Sequence, residues 1–331
     1  MTPRRLAAAG LVILAAAALF VWVFPSNTYI FLPDRAHAVA PIVTVQGGKD
    51  PSDGGGIFFV DIFVRKATLL ERLWPGIHEG AELVPASAVL PPGTSEQQRR
   101  QTDAREMTRS QQVAAAVALR AAGYRVVANP IGALVEQVDQ SVPAAGKLRP
   151  TDVIISANGK RVRVPGDLRR VVGALRPGAT VRLVVRRGDT QKRVDVRTVR
   201  DTNGRTIIGV IVDQAAFVKL PLRVKINAGN IGGPSAGLPF ALDVLEELGN
   251  DVDHGRRIAA TGQIELDGSV TAIGGVRQKT IGVRKSGIRV FLVPAGENAA
   301  EARRYAHGVR IIPVRNFQQA LHALATLPRT G

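Results

Sequence analysis

Cysteine is absent from all 331 residues. Its absence excludes disulfides, thiolate nucleophiles and cysteine-ligated zinc together, although a domain of ordinary size can be stable without covalent staples. Histidine is nearly as scarce, with five scattered residues and no His-Glu-x-x-His, so no metal centre is expected. Aromatic residues make up only 5% of the chain. Arginine is spread through every segment instead of being gathered on one aromatic-interleaved helix, which argues against nucleic-acid binding in spite of a formal net charge of +17. The charge reads as a solvated surface with weak adhesion to anionic headgroups. No Gly-x-x-x-x-Gly-Lys-Ser/Thr occurs, so no nucleotide-binding loop is expected and no cofactor is called for.

What is present begins with an uncharged run from Leu6 to Phe24, LAAAGLVILAAAALFVWVF. As a helix it would reach about 28 Å, close to the hydrocarbon thickness of a bilayer. Bulky Phe20, Trp22 and Phe24 stand where a cleaved signal peptide needs small residues, and Ala36-His37-Ala38 lies too far beyond the run. The expectation for residues 1–25 is therefore an uncleaved single-pass membrane anchor. Arg4 and Arg5 precede the span with no acid near them, which predicts a cytoplasmic N-terminus and an extracytoplasmic remainder.

The rest exceeds one domain's worth of chain. Residues 26–125 show short strands in VTVQGG and GIFFVDIFV, then a helical pattern from Arg105 to Ala122 with Met107, Val113, Val117 and Leu119 as buried positions. Ser95 with Gln98 has the form of a capping box. This region reads as a small α/β spacer without chemistry. Residues 126–200 change to strands and glycine turns. Residues 201–331 alternate strands and helices, with Asp267-Gly268 marking a hairpin, and read as an α+β domain with its own core.

The chemistry centres on GGPSAG, residues 232–237, which sets Ser235 between glycines at the start of a helix. A serine hydroxyl is a weak nucleophile without a base. One option is a triad using Asp267 with His307 or His322, but neither histidine has a local signature. The other is a lysine. Wound at about 100° per residue, GGVRQKTIGVRKSG places Lys279 within the stripe formed by Val276, Thr280 and Val283, and Lys285 on the opposite side. Desolvation disfavours an ammonium and lowers its pKa from about 10.4 toward neutrality. Amides of the first helical turn, around Gly233 and Ala236, could hold an oxyanion beside the serine.

Two resemblances sharpen this. Pro143-Ala144-Ala145-Gly146-Lys147-Leu148, Asp152-Val153-Ile154 and Asn158-Gly159 resemble a PDZ domain, which implies a peptide paired with a sheet edge, its end held by the loop Ile131-Gly132-Ala133-Leu134. KINAGNIGGPSAG, TGQIELDGSVTAIGGVRQK and GIRVFLVP resemble the proteolytic domain of Lon proteases. With the N-terminal run and LPPGTSEQ, the whole chain is similar to bacterial membrane-anchored PDZ-Lon proteins. The resemblance implies Ser235 as nucleophile, Lys279 as general base and Thr261 as support for the lysine. It departs from many Lon sequences in having Ile231-Gly232-Gly233 before the Pro-Ser pair, with Asn230 further back. It implies a serine endopeptidase working without ATP on unfolded or PDZ-presented exported proteins. The alternatives are a Ser-His-Asp esterase and an inactive PDZ adaptor. Expected partners are polypeptide substrates and the membrane, with a homo-oligomer of further copies as an option.

Overall fold

The computed structural model describes residues 3–49, 55–90, 95–201, 204–229 and 231–327, the side chains of residues 4–9 and 17–18 excepted. The first part of the chain runs through α1 (Pro3–Val23), β1 (Pro25–Ala38), β2 (Val43–Val45), β3 (Gly56–Thr68), α2 (Leu69–Leu73), β4 (Glu82–Pro85), α3 (Ala86–Val89) and α4 (Glu96–Ala121). A strand-rich middle holds β5 (Val127–Val138), β6 (Val153–Ala157), β7 (Lys160–Arg161), α5 (Pro165–Gly173), β8 (Thr180–Arg187), β9 (Thr190–Arg197), β10 (Val199–Arg200), β11 (Thr206–Ile207) and β12 (Val210–Lys219). The last part comprises β13 (Val224–Ile226), α6 (Gly237–Glu247), β14 (Arg257–Ala260), β15 (Gln263–Ile264), β16 (Val270–Thr271), α7 (Val276–Lys285), β17 (Val290–Pro294), α8 (Glu297–Tyr305), β18 (Arg310–Val314) and α9 (Phe317–Ala325).

The expected spacer does not exist as a separate scaffold. One mixed sheet runs in the order β18-β17-β14-β3-β1-β4, so strands from the first 85 residues and from the last 75 build a single layer. β14, β17 and β18 are parallel, β3 joins them in parallel, and β1 turns antiparallel against β3. The alternation of GIFFVDIFV explains the layering. Ile57 and Phe59 point into a core shared with α4, α6 and α9, whereas Phe58 and Val60 face a second core shared with α7 and α8. A strand apolar on both faces must be covered on both. α4 starts earlier than its apolar pattern, because Ser95 Oγ accepts the Gln98 amide and Gln98 Oε1 accepts the Ser95 amide. Met107, Val113, Val117 and Leu119 are buried on it as expected.

The middle region is inserted between α4 and β13, and β13 returns to pair with β2. It forms its own antiparallel sheet, β12-β5-β6-β8-β9, folded over α5 around Ile154, Leu168, Val172, Leu183 and Val185. Its last strand, β12, extends to Lys219 and pairs with β5 along nearly its whole length.

The membrane anchor is corrected by the structure. α1 forms, but among the described residues no helix is long and apolar enough to cross a membrane. The end of α1 is also tied to the folded part, since the Leu69 amide bonds Phe24 O at 3.0 Å. The single-pass topology and the extracytoplasmic placement that depended on it are withdrawn with it.

Candidate active site

Ser235 lies on a single 3-10 turn, Pro234–Ala236, leading into α6. Gly233, with φ 86°, occupies the left-handed region just before it, which an L side chain resists. Two main-chain bonds fasten this turn to the residues that follow β14: the Gly262 amide donates to Ser235 O at 2.8 Å, and the Leu238 amide donates to Gly262 O at 3.0 Å. Strand pairing breaks here between β14 and β15, so that Thr261 and Gly262 can face the serine.

Lys279 comes from the other side of the sheet. α6 contributes to one core and α7 to the other, and their functional side chains meet beyond the C-terminal end of β14. Crevices in parallel sheets form at that end of the strands. α7 can approach because residue 282 is glycine; a Cβ there would stand 2.0 Å from Asp34 O on β1. Lys279 Nζ lies 2.7 Å from Ser235 Oγ and 3.2 Å from Thr261 Oγ1. Thr261 Oγ1 in turn donates to Ser235 O at 3.2 Å, so Thr261 braces both partners. Lys279 is 2% exposed, and desolvation pulls its pKa down to about 8, opposed by the charge of Asp61.

Asp61 is a site residue that the sequence reading missed. It lines the same cleft, of about 1100 Å³, with Ser235, Gly233 and Lys279. Burial raises its carboxyl above the usual range and Lys279 draws it back. A lone aspartate inside the apolar run FFVDIFV was the available signal. α4 was missed too. Ser110 Oγ donates to Pro234 O at 3.1 Å, and Asp103 O accepts the Gly233 amide at 3.3 Å. The Gly233 amide is thus engaged by α4, while Ala236, buried, stands at the N-terminal end of α6.

The triad candidates are not brought together. His307 and His322 are exposed, and Asp267 spends its carboxylate on the Ser269 amide of its own hairpin. Asn230 lies outside the described residues. Two groups of three carboxylates come within metal-ligand reach among the described residues, Glu136–Asp213–Glu265 and Glu246–Asp251–Asp253, and Ser235 belongs to neither.

The expected peptide-holding loop, Ile131-Gly132-Ala133-Leu134, is not a loop. It lies inside β5, where Ala133 and Leu134 pair with Gln214 and Asp213 of β12 on one side and with Ile154 and Val153 of β6 on the other. Both edges are taken, so no peptide can add there. Gly132 serves close packing, since a Cβ would meet Ile154 O at 2.6 Å. β12 and β9 are the two edge strands of this sheet, and a groove of about 710 Å³ lies between β12 and α5, lined by Leu168, Val172, Ile207, Gly209 and Ile211.

Two family models match this chain. Residues 107–198 match the PDZ domain, and residues 198–326 match the Lon protease (S16) C-terminal proteolytic domain. A Lon protease of Mesomycoplasma hyopneumoniae (strain 232) is 31% identical over 146 residues, covering 40% of this chain and 17% of that protein. A Lon protease of Magnetococcus marinus is 48% identical over 73 residues, covering 22% and 9% respectively. The PDZ domain of an SdrC-like protein from Listeria monocytogenes matches at 25% identity with a TM-score of 0.24, covering 25% of this chain and 87% of that one. The chain therefore carries a serine-type peptidase domain. That domain is of the Lon type, it stands beside a PDZ domain, and both modules imply polypeptide substrates; the matched segments span less than a fifth of the curated Lon relatives.

Proposed function

We propose that this chain is an endopeptidase in which Ser235 is the nucleophile and Lys279 the general base, acting without nucleotide on unfolded or groove-held polypeptides. The observation that carries the reading is a buried amine 2.7 Å from the serine hydroxyl. Neutral Lys279 takes the Oγ proton while Oγ bonds to the scissile carbonyl carbon. The oxyanion is held by amides at the head of α6, with Ala236 the nearest candidate. Lys279 then returns the proton to the amine as the C–N bond breaks, and water hydrolyses the acyl ester by the same path in reverse. Thr261 orients the amine. Ile62, Met107 and Ile226 give the cleft an apolar lining suited to an extended chain.

Nucleotide independence rests on the lack of a phosphate-binding loop in this chain, so substrates must arrive already flexible. An extended segment adding to the open edge of β12 beside α5 would supply one way of holding them. The test is to incubate the purified chain with an unfolded protein in nucleotide-free buffer. Wild type should cleave it, and Ser235→Ala and Lys279→Ala should each lose about 10³-fold or more. Equal cleavage by all three rejects the dyad.

A further inference from the structure

One arginine spans the two domains next to the site. Arg109, on the α4 face toward the inserted sheet, bonds two carboxylates through a single terminal nitrogen: Asp213 Oδ2 at 2.7 Å and Glu265 Oε2 at 2.7 Å. Asp213 belongs to β12, the strand that edges the groove. Glu265 directly follows β15, the strand entered from Thr261 and Gly262, and Gln263 Nε2 secures it by donating to Glu265 Oε1 at 2.6 Å. From there the Gly262 amide reaches Ser235 O. The neighbouring residue on α4, Ser110, holds Pro234 O from the other side. The path from β12 to the nucleophile turn thus runs through this guanidinium, and Gln263 Nε2 adds a second tie to the inserted sheet by donating to Glu136 Oε1 of β5 at 3.3 Å.

The charge around Arg109 makes the link more than incidental. Glu106 of α4, Glu136 of β5, Asp213 of β12 and Glu265 all act on it or on one another, and Asp103 adds its charge to Glu106. Burial raises Glu265 and Glu106 to about 7, and the charge of Arg109 holds both down. Without the guanidinium, Asp213 and Glu265 lose the donor they share across a half-buried interface, and the segment leading out of Thr261 loses that lateral anchor.

We propose that Arg109 is a positioning residue for peptide cleavage: it ties the Thr261–Gly262 turn to β12 of the inserted sheet, so that Ser235 and Lys279 keep their geometry only while the inserted sheet and the catalytic body are joined. The inference rests on the Ser235–Lys279 reading above. A shift of about 1 Å at reacting atoms can cost about 10²-fold in rate, and residues acting at one remove usually cost less.

The experiment measures kcat and KM of the full chain for an internally quenched decapeptide, together with thermal unfolding. It compares wild type with Arg109→Gln, Arg109→Lys, Asp213→Asn and Ser235→Ala. Arg109→Gln should lower kcat about tenfold while KM stays within about threefold and the protein remains folded. Arg109→Lys, which keeps the charge but loses the fork, should recover part of that loss. Asp213→Asn weakens only the link to β12 and should lower kcat in the same sense, which keeps the test decisive if Arg109→Gln fails to fold. Wild-type kcat in Asp213→Asn, or in a folded Arg109→Gln, overturns the proposal while leaving the dyad intact. Cleavage by Ser235→Ala at the wild-type rate overturns the dyad itself, whatever Arg109 does.

Discussion

Lys279 could be picked out before any fold was known, because a lysine inside a helical apolar stripe must either reach water or give up its proton. At 2% exposure it does not reach water. Asp61 could not be picked out in the same way, since its nearness to Lys279 depends on β3 lying beside β14, a pairing between residues some 200 positions apart. That nearness has a measurable sign. The Asp61 charge favours the ammonium and so opposes the desolvation that lowers Lys279. Asp61→Asn should therefore move the Lys279 value below about 8, shifting the acid limb of kcat to lower pH; a limb shifted upward or unmoved would show that the two groups are not coupled. Thr261 was assigned through resemblance alone, and the structure places its hydroxyl against both partners.

Helices and strands were legible wherever period and punctuation agreed. α7, β17, α8, β18 and α9 alternate helix with strand as the pattern over residues 201–331 predicts. Which strand forms an edge was not legible. Ile131-Gly132 and Ile208-Gly209 are locally alike, and only the sheet order shows that the first is enclosed on both sides while the second turns into an edge strand. Close approach was hidden for the same reason: Gly282 looks like a weak point in a helix until Asp34 O is found against it. Gly282→Ala adds a single methyl outside the cleft. It should push α7 off β1, displace Lys279 and lower kcat about 10²-fold, with the peptide KM little changed. Crystallography of the variant should show α7 shifted; an unshifted helix with normal turnover would contradict this account of the glycine.

The molecule as a whole is one three-layer body interrupted by an inserted sheet, a topology that the sequence disguised because the N-terminal strands are separated from their C-terminal neighbours by the whole insertion. Far from Ser235, this body buries Asp243, Glu246, Glu247 and Asp253 around the end of α6. Burial first, then the neighbouring carboxylates, raise Asp243 to about 8, and Glu246 rises to about 7. A folded-state value above the unfolded one means that the fold binds the proton more tightly. Stability is then fully present at acid pH and is lost as pH climbs from the unfolded value near 4 toward about 8. Asp243 Oδ2 also has no hydrogen-bond partner among the described residues. Asp243→Asn should stabilise the protein by roughly 1–3 kcal/mol at pH 9 and change little at pH 4, read by denaturant unfolding; equal or lower stability at pH 9 would contradict the buried-charge cost.

One measurement bears on the central claim more directly than the rest, the pH dependence of kcat for nucleotide-free peptide cleavage by the full chain. A buried amine that must be neutral to accept the Ser235 proton predicts a rate rising about tenfold per pH unit and levelling near 8. A rate that is flat between pH 6 and 9, or that levels near 6.5 as a histidine base would make it, would contradict the account.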